Sequence, residues 1–194
     1  MRPVRERCRR PAGRAAFTLV ELMIVITLVG IMAAIAVPRM RPSPRQLVRA
    51  AAVQLGQDLD LARSRALSVR RPVRVVFDAG AGSYSAYQML DGATSFVESA
   101  AEQEALGSFR HRALGAGVQV GRGSAPPIPG DDGSGDVTFA SSRVEFASRG
   151  VTEPFGSGGT VYLRAASSPD DVFAVAVAAS GSVRVWSYIG EEWR

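Results

Sequence analysis

One carboxylate stands where an acid is costly. Glu21 lies inside the stretch Phe17 to Val37, FTLVELMIVITLVGIMAAIAV, whose 21 residues hold no other charge. At the centre of a membrane helix a carboxylate costs about 2.5–3.5 kcal/mol, and less near an interface. Glu21 sits near the start of the stretch, so either it reaches interfacial water or it has a cationic partner. No Lys or Arg lies in the stretch. The nearest cation the chain can make is an α-amino group, created by a cut just before Phe17.

Residues for other chemistry are sparse. His111 is the only histidine, so there is no second imidazole to build a metal site, and it reads as a strand-end surface residue. Cys8 is the only cysteine and precedes the apolar stretch, which leaves the rest of the chain without a thiol. No serine stands in a G-x-S-x-G elbow, since Gly156-Ser157-Gly158-Gly159 lacks that spacing. Gly80-Ala81-Gly82 is a turn with no phosphate-binding helix after it. Neither catalysis nor a cofactor is expected. Asp131, Asp132 and Asp136 offer carboxylates to a hard cation such as Ca²⁺, but they miss the EF-hand spacing. A solvated loop is the first expectation there, and a weak Ca²⁺ loop the second.

The elements around Glu21 set its environment. Residues 1–16 carry Arg2, Arg5, Arg7, Arg9, Arg10 and Arg14 against Glu6 alone, which accounts for the whole formal charge of +5. The rest of the chain balances seventeen arginines against seventeen acids, so the high pI says nothing of nucleic acid. There is no lysine, a bias read as genomic. A basic flank before an apolar run of about 20 residues orients the N-terminus to the cytoplasm and sends the C-terminal part of the chain across the inner membrane. A competing reading takes Ala34-Ile35-Ala36 as an ordinary signal-peptidase site, but the run before it is long for an h-region of about 7–15 residues and contains Glu21.

AlaPheThrLeuValGlu at 16–21, continued by LeuMetIleVal, resembles the prepilin signal of type IV pilins and type II secretion pseudopilins. The resemblance implies cleavage by a prepilin peptidase between Ala16 and Phe17, with N-methylation of Phe17. It also implies a Glu21 that pairs with a neighbouring subunit's amino group, and a kink at Pro38. The family normally has glycine before the cut, where this chain has Ala16. Further on, LeuAlaArgSerArgAla at 61–66 with ArgProVal at 71–73 resembles the GspH/FimT group of minor pilins and pseudopilins. So do ValGluPheAlaSerArgGly at 144–150, GlyThrValTyrLeu at 159–163 and ValAlaAlaSerGlySerValArg at 177–184. The function implied is a subunit of a helical filament, a type IV pilus or type II secretion pseudopilus, in a priming or tip position. Some FimT-like proteins resemble DNA receptors, which would make Arg164, Arg184 and Arg194 contacts, with Trp186 or Tyr188 stacking on bases. Against this, a neutral domain binds DNA weakly, and Arg184 alternates outward on a strand whose Val183 and Val185 point in. A single-pass anchored domain that is never processed is the remaining alternative.

The fold expected is α+β: a long Pro-kinked N-terminal helix, half transmembrane and half amphipathic, on an antiparallel β-sandwich-like domain. The domain plan is a leader at 1–16, a span at 17–37, a stem helix at 38–71 and a β-rich domain at 72–194. Leu47, Ala51, Leu55, Leu59, Ala62 and Ala66 recur at helical spacing up to about Val69, with Arg49, Gln54, Gln57, Asp58, Arg63 and Arg65 mainly on other faces. Period-two patterns predict strands at 73–77, 83–90, 105–111, 117–120, 143–147, 159–165, 172–179 and 182–189. Residues 91–103 and 124–136 read as loops, and Ser180-Gly181 as a two-residue hairpin turn.

Overall fold

The structure is a computed structural model that describes residues 18–36, 42–106, 109–131 and 133–194. It divides into two compact units, Met1–Arg41 and Pro42–Arg194. The leader, the cut between Ala16 and Phe17, and Pro38 lie outside the described residues.

The first unit is described over one helix, α1 (Leu19–Ala36). The second begins with α2 (Pro44–Val69), whose start is fixed locally. Proline at the first helical position needs no hydrogen-bond partner for a missing N–H. Ser43 and Gln46 cap each other's backbone N–H groups at 3.3 and 3.1 Å. Strands β1 (Val73–Asp78), β2 (Ser83–Gln88), β3 (His111–Ala113) and β5 (Arg143–Phe146) form an antiparallel sheet in the order β3-β2-β1-β5. Strands β4 (Val118–Val120), β6 (Gly159–Ala165), β7 (Ser168–Val177), β8 (Val183–Ile189) and β9 (Glu192–Trp193) form the second, in the order β4-β6-β7-β8-β9.

One face of α2 joins both sheets. Val48, Ala52, Leu55, Leu59, Ala62 and Ala66 are buried in one core with Val73, Val75 and Phe77 of β1 and with Val161, Leu163, Phe173, Val175 and Val177 of β6 and β7. Each large aliphatic side chain so buried contributes about 1.5–3 kcal/mol. Small residues let β8 approach the helix: a Cβ at Gly56 would stand 3.0 Å from Val185 Cγ2.

Four expectations give way here. The helix reading missed Asp58, which is buried between Leu55 and Leu59. It accepts hydrogen bonds from the Tyr84 hydroxyl (2.6 Å) and Gln54 (3.3 Å) and pairs with Arg112 Nε at 3.0 Å. The strand predicted at 105–111 is displaced by α3 (Ala100–Leu106), and the strand itself is His111–Ala113. A capping box starts α3: Ser99 Oγ accepts from Glu102 N and the buried Glu102 carboxylate accepts from Ser99 N. The turn between β7 and β8 has three residues, Ala179-Ser180-Gly181. Ala178 O accepts from Gly181 N, Ala178 N donates to Ser182 O, and Gly181 sits at φ +79°. That is a type I turn with a glycine bulge rather than a two-residue loop. Strand β7 also starts earlier than expected, at Ser168, after a register shift at Arg164/Ala165.

Arginines tie the elements at their ends. Arg63 donates to Gly150 O (2.9 Å) and Ser180 O (3.3 Å), and Arg65 donates to Gln88 Oε1 (2.8 Å) and Ala105 O (3.0 Å). Arg74 reaches Glu145 at 3.0 Å and Glu98 at 2.9 Å and lies 4.1 Å from the Phe96 ring centre, which holds the loop before α3 onto β1 and β5.

Two substitutions probe this packing. Gly181→Ala should destabilise the Pro42–Arg194 unit by about 1–3 kcal/mol in urea unfolding, because φ is positive and a Cβ there meets the Gly150 carbonyl. Burial, then the Asp58 hydrogen bond and charge, push the Tyr84 hydroxyl well above its ordinary value of 10.0, with Arg112 opposing. Above that value the unfolded state gives up a proton that the folded state keeps, so stability should fall as pH rises past 10. Tyr84→Phe should flatten that slope by about one proton; an unchanged slope would show that Tyr84 titrates normally.

Candidate functional site

α1 has no polar face. Leu19, Leu22, Met23, Ile24, Val25, Ile26, Leu28, Val29, Ile31, Met32 and Ile35 are all exposed, from 50% at Val25 to 73% at Leu19. Its one hydroxyl inside the helix, on Thr27, donates to Ile24 O at 2.8 Å and so is satisfied by the helix itself. Glu21 is then the only side chain of α1 that needs a partner from outside. It is the third residue of the helix, and its backbone N–H donates to the Thr18 hydroxyl at 3.2 Å, half of a T-x-x-E capping box. This position holds the carboxylate at the positive end of the helix dipole, worth about 0.3–1 kcal/mol. No arginine lies between Thr18 and Ala36 to pair with it. Water at an interface or a cation beyond these residues is left to meet the charge.

α1 is roughly 27 Å long. Among the described residues no helix is long and apolar enough to cross a membrane. The expected span at 17–37 is described over residues 18–36, helical from Leu19 to Ala36. Ala16 and Phe17, the expected cleavage and methylation pair, lie outside the described residues. A side chain at Gly30 would meet nothing within 4 Å, and Ala33 and Ala34 are exposed.

Of the arginines singled out from the sequence, Arg194 stands opposite Ser187 in the other phase, whereas Arg164 and Arg184 share the outer face of the second sheet. There Thr160, Tyr162 and Arg164 of β6 lie beside Ala174 and Ala176 of β7 and Arg184 and Trp186 of β8. Arg184 lies 5.3 Å from the Trp186 ring centre and is exposed, while Val185 packs inward on Gly56. Arg164 is half-buried and laid across Gly121, where a Cβ would come within 2.6 Å of its Nε. Two strand spacings and four residues separate Arg164 from Arg184, roughly 16 Å, so the fold does not bring them to one point. Arg194 pairs with Glu192 at 3.5 Å.

Asp131 is woven into this sheet. Its carboxylate accepts from Gly133 N (3.1 Å), Thr138 Oγ1 (3.2 Å) and Tyr162 Oη (2.8 Å); burial, then the hydrogen bond and charge of Asp131, push the Tyr162 hydroxyl up to about 12, against the Ile128 N–H and Arg122. Asp136 accepts from Arg122 N at 2.9 Å, and Asp132 lies outside the described residues. Among the described residues no cluster of three or more His, Cys, Asp or Glu side chains could hold a metal ion. His111 is exposed on β3, its Nδ1 3.0 Å from Ser85 Oγ.

The motifs recognised in the sequence converge in space. Arg63, from the 61–66 stretch, binds the carbonyls of Gly150 and Ser180, which come from the 144–150 and 177–184 stretches. Sequence reading placed Arg63 outside the packed face of α2. Its spacing from Leu59 and Ala66 was the available signal that it sits at the border of that face.

A model of the prokaryotic N-terminal methylation motif matches residues 12–37, and the model of the type II transport protein GspH matches residues 51–181. Among solved structures, the minor pseudopilin EpsH of the Vibrio cholerae type 2 secretion system is similar at 15% identity. That match covers 72% of this chain and 96% of EpsH, with a TM-score of 0.48. The Pseudomonas aeruginosa type IV minor pilin FimU is similar at 15% identity, over 76% of this chain and 92% of FimU, with a TM-score of 0.46. No curated protein matches the chain by sequence.

Proposed function

The chain belongs to the family of the type II transport protein GspH, and from this premise we propose that it is a minor filament subunit, of a type II secretion pseudopilus or a type IV pilus. The family is one of structural subunits rather than enzymes. The observation that carries the proposal is α1: a helix apolar on every side, with one carboxylate in its first turn. Such a helix is stable only in lipid or among other apolar helices.

The precursor waits in the inner membrane with residues 1–16 in the cytoplasm and the Pro42–Arg194 unit in the periplasm. The prepilin peptidase cuts between Ala16 and Phe17 and methylates Phe17. The helix then leaves lipid for a bundle of like helices, where Gly30, Ala33 and Ala34 admit close approach. Glu21 pairs with the α-amino group of the adjacent subunit. Removing one member of a charge pair from an apolar medium leaves the other uncompensated, at about 3–5 kcal/mol, so the pair fixes register as well as attraction. On α2, Val53, Leu61 and Leu67 remain exposed and offer neighbours a second apolar surface. A priming or tip position is the place proposed for this subunit.

Replacing Glu21 by Ala should leave cleavage of the leader intact and reduce incorporation into filaments at least tenfold, consistent with an uncompensated charge. The measurement is the ratio of processed subunit in sheared filaments to that in membranes. Normal incorporation of the variant would remove the charge pair from the mechanism.

A further inference from the structure

Strand β8 pairs with β7 over residues 183–187, but on its other side it is paired only at its C-terminal end. Along its other side β9 pairs with Tyr188 and Ile189, and Arg194 exchanges both backbone hydrogen bonds with Ser187 at 2.7 and 3.0 Å. No described strand continues that cover over Val183 to Trp186. Backbone groups alternate direction along a strand. Ser187 N and O point to the β9 side, so those of Val185 and Val183 point the same way, into the open edge. Ser182 O, in the opposite phase, accepts from Ala178 N on the β7 side.

The two faces of this edge differ in chemistry. On the outer face Arg184 is exposed beside the Trp186 ring, and among the described residues no carboxylate pairs with it. On the inner face Val185 is 37% exposed against Gly56 of α2, and Val53, three residues before Gly56, is 41% exposed. An added strand would therefore meet apolar surface at the positions opposite Val183 and Val185, and a cation at the position opposite Arg184.

Charge decides between occupants. The antiparallel register of two β8 copies that uses both open residues of each strand sets Val183 opposite Val185, and with it Arg184 against Arg184. Like charges directly opposite destabilise a strand pair. We propose that the open edge of β8 accepts an extended segment of a different protein chain, with an acidic side chain opposite Arg184 flanked by apolar ones. This is strand addition, in which backbone bonds supply affinity and alternate side chains supply selection. The inference goes beyond filament assembly, since it concerns the Pro42–Arg194 unit and is read without filaments.

Amide hydrogen exchange of the full chain in detergent tests it, with the peptide acetyl-Thr-Val-Glu-Val-Thr-amide at millimolar concentration as probe. In the free chain the amides of Val183 and Val185 should exchange at least about tenfold faster than those of Arg184 and Trp186. The peptide should slow the first two by about tenfold or more, and its lysine counterpart should not. Arg184→Glu should reverse that preference. Val185→Pro, which removes an N–H only from the open edge, should abolish the protection while the other slow amides of β7 and β8 stay slow. The proposal is overturned if all four amides are already slow in the free chain, if the peptide slows none, or if both peptides act alike. It is also overturned if rising protein concentration alone protects the edge, which marks a second copy. Arg184-dependent protection by duplex DNA and not by the peptide overturns it as well.

Discussion

A helix with no polar face cannot end its life in water. Every large side chain of α1 is exposed in the isolated chain, and the helix satisfies its own backbone and its own threonine. Nothing polar is left to direct it except Glu21. In lipid that carboxylate is tolerated near an interface; in a protein bundle it needs a cation. In the proposed passage from membrane to filament, the same residue makes the first environment slightly unfavourable and the second specific. A transfer from lipid to a helix bundle would gain little from the hydrophobic effect, because both media are apolar, so under this proposal packing and the single charge carry the selection.

The Pro42–Arg194 unit obeys a different constraint. Its two sheets have a common core only because α2 offers a face narrow enough to serve both, with alanines and Gly56 where strands come close. Polar groups at the borders of that face are tied down rather than left to solvent. Arg63 and Arg65 end on backbone carbonyls, and Asp58 is met by a hydroxyl, an amide and a guanidinium. Arg63 explains why three separated stretches that resemble one family occur together: a loop, a hairpin and a helix close on one guanidinium.

Much of this was legible in the residues. The helical repeat of Leu55, Leu59, Ala62 and Ala66 located α2, while its start, capped by Ser43 and Gln46 at Pro44, came from the structure. The alternation of Val73, Val75 and Phe77 located β1, and that of β8 placed Arg184 outward. The failures have physical causes. Asp58 is polar, and polarity alone assigned it to solvent, although its phase with Leu55 and Leu59 placed it inside. α3 is seven residues long, too short for periodicity, and only its Ser99-Glu102 capping box marks it. β9 is two residues long and exists because Arg194 returns to Ser187. The hairpin loop depended on Gly181 adopting positive φ, which lengthens a Ser-Gly signal by one residue. In the candidate site, Glu21 was visible as a charge out of place. Its role as a helix-start residue bound to the Thr18 hydroxyl came from the structure.

The proposed change of environment begins with a new amino terminus at Phe17. Intact mass and terminal-fragment spectra of the protein isolated from its native membrane test this directly. The expected result is a chain that begins at Phe17 and carries one added methyl group on its α-nitrogen. A chain that keeps residues 1–16, or one that begins at Val37, would contradict it.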